Sequence, residues 1–476
     1  MSEALQVAWR ATNSWLDGLA ERPVNARASL ADLRRHFGGA LPTRGTGAHE
    51  VVRDLAEKAA PGMLGNASGR FFAWVIGGSL ESALGADWLV SAWDQNAALY
   101  ACSPAAAILE ETAGEWIKDL LDLPREASFA FTTGCQLAHA TAFAAARHAL
   151  LKRAGWNVEE KGLWGAPRIR VLTSDQKHGS VERAVRLLGF GRDAIEPLPT
   201  NGEGRIEPQA LCGALAQRDA AVLLVLNAAD LNIGACDSFP DLIPIAREAG
   251  AWVHIDGAFG LFARASRSYR HHLEGVQLAD SWATDAHKWL NVPFDCGIAI
   301  VRDYEAHRAS MTQSASYIAP AASARDQIDW NPEWSRRARG IPVYAALREL
   351  GRDGVEAMID RCCALCRELV ERIGALEGAE VACRPTLNQG LVRFVRLGAS
   401  DDVNDAFTDE IISRINTTGE AYFSGTTWRG RRAMRVSVVN WRTTAEDVKR
   451  ASAAVASVLA EVGASSVRCT WRWAHL

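Results

Sequence analysis

The sequence has no long apolar run and no block of like charge. None of its apolar stretches reaches the ~18 residues that a membrane-spanning helix needs. The formal net charge is −4 and the basic residues are dispersed, which gives no electrostatic reason to expect a nucleic-acid partner. The first residues also lack the basic region and apolar core of a signal peptide. We therefore expect a cytoplasmic protein that binds neither nucleic acid nor membrane.

Regularly spaced cysteines are lacking too. The ten cysteines follow no repeating pattern, which is typical of proteins in a reducing compartment. Cys363 and Cys366 have the spacing of a metal or redox pair, but no second pair lies at a suitable distance. They also fall within a long helical pattern. We expect structural thiols here, and no metal site.

The composition is that of a globular protein with a large core. Of the 476 residues, 48% are hydrophobic and 23% are charged, which favours two or three domains. We predict a helical dimerisation segment over residues 1–100, a large α/β domain over 101–345 and a small α+β domain over 346–476. Residues 83–100 are apolar nearly all round, so we expect them to be buried, in part against another subunit.

Apolar strands alternate with helical patterns in the large domain. This alternation predicts a mainly parallel sheet covered by helices, with ligands at the carboxyl ends of the strands. The predicted strands are 128–132, 169–174, 221–227, 252–256, 281–284 and 297–301, and the predicted helices include 137–152, 181–188 and 242–249. Further strands are predicted at 71–75, 391–395, 434–438 and 468–475, and further helices at 343–376, 402–416 and 445–459.

A lysine follows one of these strands. Residues 280–289 predict a short strand that runs into a turn holding Lys288. Because Ala286 and Trp289 flank it, the lysine should be poorly hydrated, which would lower its pKa and free its amine to form a Schiff base with an aldehyde. The alternative is an amphipathic lysine on a surface turn, with its ammonium group in water.

Three other strands end in residues that a ligand could use. Thr133, Gly134 and Cys135 open a helix, whose N-terminal N–H groups suit a phosphate, although ordinary strand-to-helix turns use the same residues. His178 could stack on a planar ring, or could simply stand near a helix start. Asp256 ends an apolar strand and requires a cationic or hydrogen-bonding partner; a helix N-cap or a salt bridge would also account for it.

Together these residues match the needs of one cofactor. An aldehyde with a pyridine ring and a phosphate needs a lysine, a carboxylate for the ring nitrogen, an aromatic partner for the ring face and a helix N-terminus. Each element follows a separate strand of this sequence. The joint pattern therefore predicts pyridoxal 5'-phosphate (PLP) as the cofactor.

The same motifs resemble those of the PLP-dependent group II amino-acid decarboxylases, which act on aromatic amino acids, histidine or glutamate. The resemblance is carried by residues 175–184, 254–259 and 285–290, whose order and spacing agree with the family. It extends from about residue 71 to the C-terminal helix. It implies the type I, aspartate-aminotransferase-like fold of PLP-dependent transferases, and a homodimer with active sites at its interface.

The resemblance also implies roles for individual residues. Lys288 would hold the cofactor as a Schiff base, Asp256 would pair with the pyridine nitrogen, and His178 would stack over the ring. Ala258 would pack on the opposite ring face. The phosphate would be bound by backbone donors of Gly134 and Cys135, with Thr133 and His287 nearby. Lys288, His178 and Asp256 are thus the expected catalytic residues.

The sequence departs from the aromatic decarboxylases in a loop. Those enzymes carry a mobile-loop tyrosine thought to deliver a proton after carbon dioxide leaves, but residues 319–339 contain none. The loop has Trp330 and Trp334, with Gln327 near the expected place and Tyr317 just before it. The proton could instead come from His178, His287, Lys288 or a water molecule.

Two motif positions also differ. Asp285 stands where the aromatic enzymes have an amide, and Cys135 and Gln136 replace a common Ser-Glu pair. These changes bear on the substrate and the product more than on cofactor binding.

The expected reaction is decarboxylation of an L-amino acid to its amine and carbon dioxide, as a carboxy-lyase of amino-acid metabolism. An aromatic substrate is slightly favoured, with Trp74, Phe259 and Arg435 as candidate substrate residues. Aromatic residues are more often core, however, and Arg435 could equally form a surface ion pair. The alternatives are decarboxylation with oxidative deamination to an aldehyde, and a non-catalytic homologue that binds PLP.

Overall fold

The computed structural model describes residues 1–313 and 324–471. The helices are α1 (Glu3–Asp17), α2 (Leu30–Phe37), α3 (Ala48–Ala59), α4 (Glu81–Trp93), α5 (Pro104–Leu120), α6 (Cys135–Arg153), α7 (Val158–Lys161), α8 (Gly179–Leu187), α9 (Pro208–Leu215), α10 (Phe239–Glu248), α11 (Tyr304–Met311), α12 (Gly340–Gly374), α13 (Asp401–Thr418) and α14 (Ala445–Trp471). The strands are β1 (Ser128–Thr132), β2 (Ile169–Ser174), β3 (Ile195–Leu198), β4 (Ala221–Asn227), β5 (Trp252–Asp256), β6 (Ser281–Asp285), β7 (Gly297–Val301), β8 (Ala379–Cys383), β9 (Gln389–Phe394), β10 (Ser424–Trp428) and β11 (Arg431–Ser437).

The larger sheet has seven strands in the order β1-β7-β6-β5-β4-β2-β3. Strands β3, β2, β4, β5 and β6 pair in parallel, whereas β7 runs antiparallel to both β1 and β6. The mainly parallel sheet predicted from the sequence is therefore confirmed. One face is covered by α6, whose Phe143 and Ala146 join Val171 and Val225 of the sheet in a single apolar cluster.

The sequence did not predict β8 and β10 of the smaller sheet, nor β3 of the larger one. Strand β3 contains Pro197 and lies at the edge of the sheet, where proline is tolerated because an edge strand leaves one row of N–H groups unpaired. Two predicted strands are wrong. Phe71 forms only an isolated bridge with Tyr422, and residues 468–471 continue α14 while 472–476 lie outside the described residues.

The described residues form two compact units. One comprises residues 1–76, 365–384 and 390–476, and the other comprises 77–364 and 385–389. Residues 1–76 thus cluster with the C-terminal region, a division that differs from the three segments predicted from the sequence. Within the first unit, the buried Arg70 donates hydrogen bonds to the carbonyl oxygens of Ala20, Arg22 and Glu420, which joins stretches distant in sequence.

A buried ion pair supports β1 in the larger unit. Arg336 Nη1 donates to Glu110 Oε2 at 2.8 Å, and neither side chain is exposed beyond 1%. Arg336 Nη2 also donates to the carbonyl oxygen of Phe131 at 2.8 Å. The guanidinium therefore fixes β1 just before the turn that leads into α6.

The aromatic face of α4 is exposed on the single chain. Ala83, Ala86 and Val90 of this helix are buried, but Trp88 and Trp93 are 40% and 51% exposed. The burial expected for this segment is thus only partly met within one chain.

The cysteine pair lies within α12. Cys363 and Cys366 are buried and form no disulfide bond among the described residues, as expected of structural thiols. No helix in the described part of the chain is both long and apolar enough to cross a membrane.

Candidate active site

Three parallel strands end, and one helix begins, at the same edge of the larger sheet. Asn227, Asp256 and Asp285 are the last residues of the parallel strands β4, β5 and β6. The carboxyl ends of neighbouring parallel strands meet at the same edge. Helix α6, which starts at Cys135, reaches this edge as well, because the Cys135 backbone N–H donates to Asp285 Oδ1 at 2.6 Å.

Lys288 lies in the turn directly after β6. Its Nζ is 2.9 Å from Asp285 Oδ2, and its side chain is 21% exposed while that of Asp285 is 3% exposed. The flanking Trp289 is fully buried. Lys288 is therefore an ion-paired lysine at the strand edge, not an extended surface lysine.

The pKa expected for Lys288 is wrong in direction. Burial does lower it, as the apolar neighbours suggested, but Asp285 together with Cys135 and Asp256 outweighs burial, and the pKa of Lys288 is raised above its usual value. The sequence argument considered the hydrophobic neighbours and not the charge three residues earlier, which the turn brings into contact.

Asp256 is buried and remains ionised. Burial alone would raise its pKa, but His139, His178 and Lys288 together lower the pKa of this carboxyl group below its usual value. The Ala258 backbone N–H donates to Asp256 Oδ1 at 3.2 Å. A fixed buried carboxylate of this kind can hold a protonated ring nitrogen.

His178 is the N-cap of α8. Its Nδ1 accepts from the Ser180 backbone N–H at 3.2 Å and lies 2.7 Å from Ser180 Oγ. The proton of the neutral ring therefore belongs on Nε2. The alternative of a histidine near a helix start is correct as a local description, and the His178 side chain is exposed.

His287 is held in the turn by its backbone surroundings. Its Nδ1 accepts from the Cys296 backbone N–H at 3.1 Å, its Nε2 lies 3.8 Å from Asp285 Oδ2, and its ring centroid is 4.3 Å from that of Phe294. Burial lowers the pKa of His287, so its Nε2–H is a neutral donor near the phosphate turn.

The predicted phosphate-binding turn, residues 133–135, packs closely against β7. A Cβ built on Gly297 would lie 2.3 Å from the Gly134 backbone carbon, so only glycine at position 297 allows β7 this close to Gly134. The Cys135 N–H already donates to Asp285. A phosphate bound at this helix start would share its donors with that carboxylate.

One unpartnered polar atom supports a polar ring ligand at this edge. Asn227 Nδ2 is buried and has no hydrogen-bond partner among the described residues, and Asn227 pairs with Asp256 in the β4–β5 register. A buried amide donor normally has an acceptor. PLP carries polar substituents around its ring, so the residues present fit this cofactor.

The candidate substrate residues have different surroundings. Phe259 is 2% exposed, with its ring centroid 6.4 Å from that of Trp289, which is a core position. Trp74 belongs to the other unit, is 45% exposed and packs beside Tyr422. In that unit the Trp74 N–H donates to Ser424 Oγ, and Ser424 pairs with the buried Arg435 across β10 and β11.

The tyrosine-free loop lies partly outside the described residues. Residues 314–323, including Tyr317 and the start of the predicted loop, are not described. Beyond them, Gln327 and Trp330 are 1% and 3% exposed, and Trp330 packs against His307. Both are core residues of this region.

Sequence reasoning missed His139, His254 and Ser281 as members of the site. His139 lies one helical turn after Cys135, and its Nε2 is 3.5 Å from both Cys135 Sγ and Asp256 Oδ2. His254 stands two residues before Asp256, on the same strand face, and pairs in register with Ser281. These helical and strand spacings were the available signals.

Comparisons with known proteins show the family and the fold. Residues 31–396 match the family model of the pyridoxal-dependent decarboxylase conserved domain. The chain is 29% identical over 446 residues to tryptophan decarboxylase 1 of Oryza sativa subsp. japonica, covering 87% of this chain and 85% of that protein. It is 28% identical over 391 residues to L-2,4-diaminobutyrate decarboxylase of Rhizobium meliloti (strain 1021), covering 80% and 76%. The structure of Oryza sativa TDC with PLP and tryptamine matches with a TM-score of 0.90 at 25% identity, covering 96% of this chain and 97% of that one. This match confirms the predicted fold class.

Proposed function

Because this chain belongs to the pyridoxal-dependent decarboxylases, and is therefore a PLP-dependent amino-acid carboxy-lyase, we propose that its substrate is an aromatic L-amino acid. The products would be the corresponding amine and carbon dioxide. The observation that carries the catalytic part of this proposal is the meeting of Lys288, paired with Asp285, and the ionised Asp256 at one sheet edge.

Bound PLP supplies an electron sink for the bond between Cα and the carboxylate. Lys288 would hold the cofactor through its amine, and Asp256 would keep a proton on the ring nitrogen. His178 would cover one ring face from the N-terminus of α8, with Ala258 on the other.

The phosphate would be held at the start of α6. Gly134 would offer a backbone N–H group there, and Cys135 a second one that it shares with Asp285, with Thr133 and the Nε2–H of His287 close by. Asp285 would hold a proton on Lys288 Nζ while the amine is free. The Lys288 ammonium group could then return a proton to the reacting carbon at the end of the reaction. Loop residues 319–339 contain no tyrosine for this task.

Support for an aromatic substrate comes from relatives. One similar protein is a tryptophan decarboxylase, and a similar structure was solved with tryptamine, although another relative is a diaminobutyrate decarboxylase. Trp74 and Arg435 are candidate substrate residues on the sequence alone. Phe259 is buried and would act only as support.

The role of Lys288 is tested by colour. The purified protein should be yellow, and Lys288→Ala should abolish the covalent cofactor recovered after borohydride reduction and denaturation. Lys152→Ala, which removes an exposed lysine of α6, is the control and should retain it. Cofactor still attached covalently in the Lys288 variant would refute the assignment.

The substrate is tested by carbon dioxide release across the common amino acids and 2,4-diaminobutyrate, with products identified by mass spectrometry. We expect kcat/KM to be at least about tenfold higher for an aromatic substrate than for glutamate or diaminobutyrate. Higher activity on the latter would reject the aromatic assignment. Oxygen uptake with aldehyde, ammonia and peroxide would identify the oxidative alternative, and bound PLP with no turnover would identify a non-catalytic homologue.

We also propose a cytoplasmic homodimer with active sites at its interface. The exposed apolar residues Trp88, Leu89 and Trp93 of α4 support a contact with a second chain.

A further inference from the structure

A chain of buried polar side chains leads to Asp256. Trp252 Nε1 lies 2.8 Å from Ser281 Oγ, which lies 2.9 Å from His254 Nδ1. His254 Nε2 lies 2.9 Å from His139 Nδ1, and His139 Nε2 lies 3.5 Å from Asp256 Oδ2. Ser281 and both histidines are fully buried. These hydrogen-bonded side chains come from β5, β6 and α6. Apart from Asp256, none of them has a role in the proposed function.

The chemistry of the donors sets the direction of these hydrogen bonds. The Trp252 indole N–H can only donate, so Ser281 Oγ accepts it. We assign the Ser281 hydroxyl hydrogen to His254 Nδ1, which leaves the second Ser281 lone pair unused. Burial lowers the pKa of His254 well below its usual value, so this ring is neutral. Its single proton then lies on Nε2 and is donated to His139 Nδ1. His139 in turn carries its proton on Nε2, facing Asp256.

We propose that His139 is a positioning residue that keeps Asp256 ionised and correctly oriented for the cofactor's ring nitrogen. One carboxylate oxygen accepts from the Ala258 N–H at 3.2 Å, and the other faces the His139 N–H. His254, Ser281 and Trp252 fix the imidazole so that this N–H cannot turn away. The inference rests on the proposed role of Asp256.

Without the His139 N–H, less would oppose the rise in the pKa of Asp256 that burial causes. Burial raises the pKa of Asp256, and the hydrogen bond from His139 is one of the contacts that lower it. A less firmly ionised Asp256 would protonate the ring nitrogen less completely, and the electron sink would weaken. The effect should fall on kcat, because these buried side chains do not take part in substrate binding.

Two substitutions separate contact with Asp256 from contact with His254. Gln at position 139 can place an amide N–H near the Nε2 position, whereas the shorter Asn reaches only toward Nδ1. We expect His139→Asn to lower kcat by about 10–100-fold, the range typical of residues that orient a reacting group, with KM changed by less than about threefold. His139→Gln should stay within about fivefold of wild type. His148→Gln, on an outer turn of α6 beside Glu159, is the matched control and should be unchanged.

Nuclear magnetic resonance gives a readout independent of activity. In wild-type holoenzyme with ¹⁵N-histidine, His254 should be neutral with its proton on Nε2. With ¹⁵N-labelled PLP, the ring nitrogen should be protonated in wild type and His139→Gln, and less so in His139→Asn. A proton on His254 Nδ1, or equal losses of kcat in the Asn and Gln variants, would overturn the inference.

Two further measurements separate this inference from its alternatives. Cys135 Sγ, His139 Nε2 and Asp256 lie close enough together to hold a metal ion, so one equivalent of zinc in active wild type that His139→Asn loses would overturn the positioning role. If Asp256→Asn deprotonates the ring nitrogen and His139→Asn does not, the inference alone fails. If Asp256→Asn leaves the ring nitrogen protonated, the proposed role of Asp256 fails as well.

Discussion

At Lys288 two effects of opposite sign act on one amine. Removal from water favours the neutral form, and the Asp285 carboxylate at 2.9 Å favours the ammonium form. The pKa of Lys288 is raised because Asp285, in direct contact, acts together with Cys135 and Asp256. Asp285 also accepts from the Cys135 N–H, so one side chain joins the lysine to the helix expected to hold the phosphate.

Replacement of Asp285 by Asn should make Lys288 react at lower pH. The amide can still accept from the Cys135 N–H, but it no longer stabilises the ammonium, and burial then lowers the pKa of the lysine. A neutral amine is the form that attacks the aldehyde. Because wild-type Lys288 has a raised pKa, its attachment rate should rise with pH over a higher range than that of the variant. Stopped-flow absorbance of PLP added to apoprotein measures this rate.

At neutral pH the Asp285→Asn apoprotein should therefore bind PLP covalently several times faster than wild type. Asp193 is an exposed aspartate just before β3. Asp193→Asn is the control and should leave the rate and its pH dependence unchanged. An identical pH profile in wild type and Asp285→Asn would show that the ion pair does not control the amine.

At the scale of elements, the turn after β6 is held by close backbone packing. A Cβ built on Gly77 would lie 2.1 Å from the Lys288 carbonyl oxygen and 3.2 Å from that of His287. Nearby, the Gly78 N–H donates to Asn291 Oδ1 at 2.7 Å. The segment before α4 therefore supports the backbone that carries the lysine.

Gly77→Ala should damage this turn. The added methyl group meets backbone atoms that cannot rotate away, and overpacking of this kind costs about 1–3 kcal/mol. We expect a lower Tm of the holoenzyme and weaker PLP binding, measured by thermal unfolding and by cofactor titration.

Gly213→Ala is the matched control, because a Cβ at this exposed position of α9 meets nothing within 4 Å. This change should stabilise the helix by about 0.5–1 kcal/mol and leave PLP affinity unchanged. Equal PLP affinity in both alanine variants would contradict the proposed support of Lys288 by Gly77.

At the scale of the whole molecule, the exposed aromatic face of α4 bears on the proposed homodimer. Trp88→Glu would place a charge in an apolar contact and should raise the dimer dissociation constant at least about tenfold, as measured by sedimentation equilibrium. Trp164→Glu, at a side chain that is 94% exposed, should leave it unchanged. A wild-type protein that sediments as a monomer would contradict the dimer itself.

The sequence alone determined the fold class and most strands of the larger sheet. Buried strands such as β4 and β5 are continuous apolar runs separated by helical patterns, and this signal is local in the chain. The local signal is weak at β3, where a proline interrupts a four-residue edge strand. It misleads at residues 71–75, where apolar residues pack individually and form no ladder.

The sequence alone also pointed to Lys288, Asp256 and His178, because each follows a strand and the chemistry of one cofactor links them. Only the tertiary structure decided what surrounds them. The raised pKa of Lys288 and the hydrogen-bonded histidines behind Asp256 depend on side chains from β5, β6 and α6 meeting at a few ångströms. Strand and helix periodicities record the burial of each segment, whereas the charge and direction of a buried hydrogen bond depend on partners that are distant in sequence.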